Sequence, residues 1–242
     1  TTAVTGATAT DPETTVTTTT TKVHTRTGGT AADPTIAGGN QTTTTGNVIS
    51  LDLNTPTEFT PTKAGAEFQV NAYTSGDQDQ PAITMLLDGG FVASWTQGGT
   101  AIIGRRFDAS GDATSDDFQI NTTVANVAEP KVTTLSDGGF FVSWYGGSGT
   151  DYNVYGQRYN ASGESVGSEI IINSTTGDTQ AGAAVTSLND GSIVVTWHGR
   201  AGGSGGASYE IYGQRFDNLG TALGSEFIVN STTSGDQLNP SV

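Results

Sequence analysis

Apolar residues along this chain come in short runs that follow the same turn. Asp88-Gly89-Gly90 leads into Phe91–Trp95, Asp137-Gly138-Gly139 into Phe140–Trp144, and Asp190-Gly191-Ser192 into Ile193–Trp197. Aspartate and glycine tolerate the positive φ angles of tight hairpins, so Asp-Gly between apolar runs predicts paired antiparallel strands. In the first unit this pattern predicts a strand over Pro81–Leu87 and its partner over Phe91–Trp95. A third strand follows over Ala101–Asp108, then a turn at Ala109–Gly111 and a fourth strand over Asp117–Thr122.

The same order of elements returns about every fifty residues. Arg106-Phe107, Arg158-Tyr159 and Arg215-Phe216 mark the third strands, and Glu67–Asn71, Asp117–Asn121, Glu169–Asn173 and Glu226–Asn230 mark the fourth. The spacing grows only in the glycine-rich stretch after each tryptophan, where insertion is cheap, which marks an exposed loop. Four short strands in about fifty residues predict an all-β fold of tandem antiparallel units, blades like those of a β-propeller. Tandem small sandwiches of two units each are the competing arrangement.

The units are read as roughly 72–122, 123–173 and 174–230, with a partial unit at 231–242. Glu67–Asn71 begins the series with a lone fourth-type strand, and Gln237–Val242 matches only the first strand at Gln78–Ile83. Middle strands drawn from Asn47–Phe59 would complete a ring of about four blades. Residues 45–242 are thus read as the repeat domain. Residues 1–44 are threonine-rich and read as an extended N-terminal segment. It is either a flexible leader or, because threonine favours extended backbone, a strand over Thr14–Thr27 that adds to a sheet edge.

Composition narrows the function. A net charge of −15 and a pI near 4.1 repel a phosphate backbone, which excludes nucleic acid as a natural partner. The chain has no cysteine, so disulfides, thiolate metal sites and cysteine nucleophiles are excluded together. No apolar run is long enough for a helix to insert in a bilayer. An acidic, cysteine-free, threonine-rich repeat fits a protein at the cell surface or outside the cell.

Residues that recur in every unit read as architecture. Trp95, Trp144 and Trp197 are expected to fill the space between adjacent sheets. Gly104, Gly156 and Gly213 fall mid-strand, where glycine is costly unless another group approaches closely, and a tryptophan ring is the expected occupant. Arg106, Arg158 and Arg215 are expected to stack on a ring and pair with a carboxylate, one internal clamp per blade. Candidate partners are the turn acids Asp88, Asp137 and Asp190 or the strand-opening acids Asp117, Glu169 and Glu226.

No cofactor is expected. Calcium is the one candidate, at Gly146–Asp151, at Asp108 with Asp112, or at the turns holding Asp77 and Asp236. Asx turns explain the same residues without metal. His24 and His198 have no partner at metal-ligand spacing, and no nucleophile elbow or one-off acidic cluster is evident.

The composite of DGGFxVSW, YGQRF, ASG, GSEFxVN and TSGDQ resembles tandem repeats of large secreted bacterial surface proteins, adhesin-like and exported by type I systems alongside RTX segments. That resemblance covers residues 65–242 and implies an extracellular structural or adhesive role, with no enzymatic activity. The leading expectation is therefore a non-enzymatic subunit of a surface filament, sheath or layer, its copies joined by strand pairing. The alternative is an adhesin-like module that binds surface glycans through the loops Thr96–Thr100, Tyr145–Tyr152 and His198–Tyr209, with exposed Tyr145, Tyr152 and Tyr209 stacking on sugar.

Overall fold

The computed structural model describes residues 65–200 and 208–242, together with two short strands near the amino terminus. The chain divides into two compact units, Thr1–Thr62 and Lys63–Val242, later than the boundary expected at residue 44. In the first unit, β1 (Ala9–Asp11) pairs antiparallel with β2 (Thr14–Val16), Ala9 opposite Val16. The strand expected over Thr14–Thr27 is described only to Val16, and the middle strands expected at Asn47–Phe59 lie outside the described residues.

The second unit holds three four-stranded antiparallel sheets, each an uninterrupted meander. The first is β3 (Gln78–Met85), β4 (Phe91–Gln97), β5 (Ala101–Phe107) and β6 (Phe118–Gln119). The second is β7 (Val127–Thr134), β8 (Phe140–Ser148), β9 (Asp151–Tyr159) and β10 (Ser165–Ile171). The third is β11 (Gln180–Ser187), β12 (Ile193–Gly199), β13 (Glu210–Phe216) and β14 (Phe227–Ile228). The described residues contain no helix, and the fold is the propeller-like array of blades that the repeat predicts. β3 and β11 pack on β7 from its two sides, which makes β3, β7 and β11 the innermost strands.

The turns form for the expected reason. Gly89 takes a φ of +86°, Leu86 N–H donates to Gly90 O at 2.8 Å, and Asp88 Oδ1 accepts from Gly90 N at 2.9 Å. The first strand starts at Gln78, before the expected Pro81, because a bulge between Asp79 and Ala82 lets pairing resume on the far side of the proline. The fourth strand is shorter than expected in the first and third blades. Beyond β6 the Asn121 side chain takes over from the ladder, its Oδ1 accepting the N–H of Ile102 at 2.7 Å.

The core lies between blades rather than within them. Leu86, Val92, Ile102 and Ile120 of the first blade pack against Val127, Phe140, Val142, Trp144 and Tyr159 of the second. Leu135, Phe141, Val154 and Ile172 of the second meet Ala183, Ile193, Val195, Trp197, Tyr212 and Phe216 of the third. A smaller cluster of Ala93, Trp95, Ile103 and Phe107 is backed by Val70, and Phe68 packs on Phe107 with ring centroids 5.9 Å apart.

Candidate functional site

The recurring residues occupy the scaffold. Trp144 and Trp197 are buried between blades and stack on Tyr155 and Tyr212, each at a centroid distance of 6.2 Å, whereas Trp95 is buried in the smaller cluster of the first blade that Val70 backs. The ring over each mid-strand glycine is not tryptophan. A Cβ on Gly104 would meet Phe118 Cζ at 2.7 Å, one on Gly213 would meet Phe227 Cζ at 2.8 Å, and one on Gly156 would collide with the Phe141 ring. The reason is register: each glycine sits opposite Ser94, Ser143 or Thr196, one place away from the tryptophan, whose ring points to the other face.

Arg106, Arg158 and Arg215 do form one clamp per blade, with the turn acids. Arg106 Nη2 lies 3.4 Å from Asp88 Oδ2, Arg158 pairs with Asp137, and Arg215 pairs with Asp190. Stacking on a ring falls to other arginines among the described residues, Arg105 over Phe107 and Arg200 over Tyr209.

The strand-opening acids have a task the sequence did not disclose. Asp117 accepts from the N–H groups of Ala72 and Tyr73, Glu169 from Thr122 N and both neighbouring threonine hydroxyls, and Glu226 from Ser174 N and Oγ. Each caps the connector that leaves the preceding fourth strand, and so ties one blade to the next. Asp108 serves its own turn, accepting from Ser110 N and Asp112 N, and Gly146–Asp151 lies within the β8–β9 hairpin.

Chemistry that is not repeated gathers at one lip of the array, beside the innermost strands. Gln80, Glu129, Gly182 and Asn239 hold the same place in successive units, each with left-handed φ (53°, 53°, 62° and 54°), and the first three sit at a bulge in the ladder. Left-handed backbone at three non-glycine residues costs free energy, and such strain concentrates at functional positions. Gln80 Oε1 accepts from Thr96 Oγ1 at 3.0 Å and from Glu129 N at 2.9 Å, which links two blades. At Gly182 the space a side chain would fill is taken by the His198 imidazole, whose Nδ1 accepts from Asn239 N at 3.5 Å.

Two aromatic pairs flank these bulges. Tyr145 and Tyr152 meet edge to face at 5.7 Å, and His198 and Tyr209 do so at 5.4 Å, with Arg200 Cζ 4.2 Å above the Tyr209 ring. These tyrosines are half-buried, not exposed as expected, because the rings pack on one another and on the strand ends. Burial raises the Tyr145 phenol above its ordinary value, and the charges of Glu129 and Tyr152 add to the shift. Burial holds the His198 imidazole below its ordinary value, with Glu129 pulling the other way. Glu129 therefore acts on both aromatic pairs, and among the described residues no ion pair neutralises it. The lip offers ring edges and faces, a planar amide, a carboxylate and a guanidinium, which together suit a neutral polyhydroxylated ligand.

No family model matches the chain, and no curated protein matches it. Among solved structures the chain is similar to an endo-arabinase from Bacteroides thetaiotaomicron VPI-5482, at 15% identity and a TM-score of 0.45, covering 68% of this chain and 66% of that one. It is similar to a family-43 glycoside hydrolase of the Bacteroides ovatus xyloglucan PUL, at 14% identity and 0.43, covering 66% and 36%. It is also similar to a thermostable family-43 glycoside hydrolase, at 12% identity and 0.44, covering 66% and 56%. The chain spans less than two thirds of each of these proteins. The expectation that the chain is not an enzyme runs against these neighbours, an endo-arabinase and two family-43 glycoside hydrolases. That expectation rested on residues repeating in every unit and on the lack of a one-off acidic cluster; the lip gathers unrepeated residues around a single acid, Glu129.

Proposed function

We propose that this chain is a carbohydrate-binding, propeller-like module of the cell surface or extracellular space, and that the lip around Glu129, Tyr145, His198 and Tyr209 holds the sugar. The observation that carries this reading is the pair of aromatic couples on either side of an unneutralised carboxylate. A pure building block would repeat the same residues in each blade. Here the bulge residue changes from Gln80 to Glu129 to Gly182, and the residue after each tryptophan changes from Thr96 to Tyr145 to His198. Departure from the repeat at adjoining positions favours a ligand site over a purely structural subunit.

Tyrosine and histidine rings supply apolar area at little entropic cost, while Gln80, Glu129 and Arg200 supply hydrogen bonds to hydroxyls. Electrophoresis in native gels cast with xyloglucan, arabinan or bacterial surface polysaccharides tests the reading, with reducing-sugar release measured in parallel. Retardation by at least one of these glycans is the expected result. Unchanged mobility in all of them would refute it.

A further inference from the structure

Polar groups without partners also gather away from the lip, along the outermost strands of the first two blades. A cleft of about 450 Å³ lies there, walled by β6 and its connector on one side and by β9 and β10 on the other. Gln157 and Tyr159 line it. They stand two apart on β9, so their side chains share a face, and they are only 5% and 4% exposed. Gln157 Nε2 donates to the carbonyls of Arg158, Val166 and Gly167, at 2.9, 3.3 and 3.4 Å, which leaves Oε1 as a free acceptor. The Tyr159 ring stacks on Phe140 at 4.8 Å and tilts against Phe118 at 5.5 Å. Its hydroxyl has no hydrogen-bond partner among the described residues, and it is not sealed in the core as the Tyr212 hydroxyl is. Burial raises the phenol above its ordinary value and the Glu169 charge adds to the rise, so the hydroxyl keeps its proton and can donate it.

The repeat supplies a control. Between the second and third blades the same groove is smaller, about 350 Å³, and more apolar. Ile171 stands there in the place of Gln119, Phe216 in that of Tyr159 and Ala222 in that of Ser165. The first blade likewise carries Phe107 and Ala113 in the last two places. What the two grooves share is structural: Glu169 and Glu226 both cap a connector, and the Gln157 and Gln214 amides are both held through Nε2. Blade packing is satisfied by phenylalanine at the position of Tyr159, and a buried hydroxyl without a partner is costly to the fold. Tyr159 and Ser165, found in one groove alone, therefore point to something that this groove takes up.

We infer that this cleft is a second ligand site, separate from the lip, and that it takes a neutral polyhydroxylated ring the size of one sugar residue. A hydroxyl both donates and accepts, whereas an ammonium only donates and a carboxylate only accepts. The cleft presents both kinds of group to such a ring. The Tyr159 hydroxyl donates, Gln157 Oε1 accepts, and the exposed hydroxyls of Ser165 and Ser168 do either. Glu169 and the net charge of −15 turn anions away. The volume falls within the range of small-molecule sites, about 300–1,000 Å³, and aromatic surface beside a few placed polar groups is their usual lining. This site uses none of the lip residues, so either reading stands without the other.

Restoring the repeat tests the site, because Tyr159→Phe and Ser165→Ala install residues that the other two blades already carry. Isotope-labelled full-length protein is titrated with methyl β-D-glucopyranoside, methyl β-D-galactopyranoside and myo-inositol. Heteronuclear NMR follows the Gln157 side-chain amide and the backbone amides of residues 165–169. At least one of the three compounds is expected to shift these signals saturably, in the wild type and equally in the lip variant Glu129→Gln. Affinity should fall about tenfold or more in the double variant Tyr159→Phe/Ser165→Ala, with circular dichroism confirming that it folds. Ser165→Ala alone, a change to an exposed side chain, should weaken binding in the same direction. Signals that move with none of the three compounds, or an affinity that the double variant keeps, would mean that the cleft holds water only and would overturn the inference. Shifts confined to the neighbourhood of His198 and Tyr209 would also overturn it, while leaving the lip reading intact.

Discussion

At the residue scale, single polar side chains hold each blade closed. Asn173 is buried, its Oδ1 accepting from Val154 N at 2.7 Å and its Nδ2 donating to Asn153 Oδ1 at 2.7 Å. Asn173→Ala leaves a buried N–H without a partner, so chemical denaturation should show a loss of about 1–3 kcal/mol. A loss within error of zero would mean that water or the ladder replaces the side chain. His198 gives a pH signature. Because its folded pKa lies below the ordinary value, the unfolded chain binds the proton more readily, and stability should fall as pH drops through the ordinary histidine range. Above that range this contribution is constant. Thermal melts at pH 7.5 and 5 should differ less in His198→Gln than in the wild type, and equal differences would refute the assignment. The asparagines were visible in sequence as a repeated letter, but their role was not, because a side chain standing in for a ladder partner leaves no mark on the apolar pattern. His198 was visible too, yet its setting depends on Gly182, sixteen places earlier and one strand across.

At the scale of the element, the hairpins were legible because Asp-Gly turns fix both the bend and the strand ends. The glycine partners were not, since register decides which ring lies over which glycine and a one-residue offset exchanges the two faces. That offset gives a graded prediction. Gly156→Ala drives a methyl into the buried Phe141 ring and should cost about 1–3 kcal/mol or more, whereas Gly213→Ala meets Phe227, which is half exposed and free to shift. Paired denaturant titrations should therefore rank Gly156→Ala as the more damaging. The reverse order would mean that these glycines serve some need other than space for a ring. The bulges were the least legible elements. Gln80, Glu129, Gly182 and Asn239 share no residue type, and although three of them precede a proline, it is the common left-handed φ that shows all four to be equivalent.

At the scale of the whole molecule, a periodic scaffold carries an aperiodic lip. Tryptophans, phenylalanines and aliphatic residues between blades, arginine clamps at the turns and acid caps on the connectors recur from unit to unit, and the repeat made that scaffold readable from sequence. The lip is read only by subtraction, from positions where the repeat is broken and the fold brings the breaks together. The same subtraction exposes Met85 and Leu87, whose counterparts are Thr134 and Ser136, then Ser187 and Asn189. The claim that matters most is that the lip binds sugar. The direct measurement is calorimetric titration with whichever glycan retards the protein most, comparing wild type with Tyr209→Ala, Glu129→Gln and the remote turn variant Leu219→Ala. Both lip variants should lose at least about tenfold in affinity, ~1.4 kcal/mol, while Leu219→Ala binds as the wild type does. Undiminished affinity in Tyr209→Ala and Glu129→Gln would place the sugar elsewhere and contradict the account.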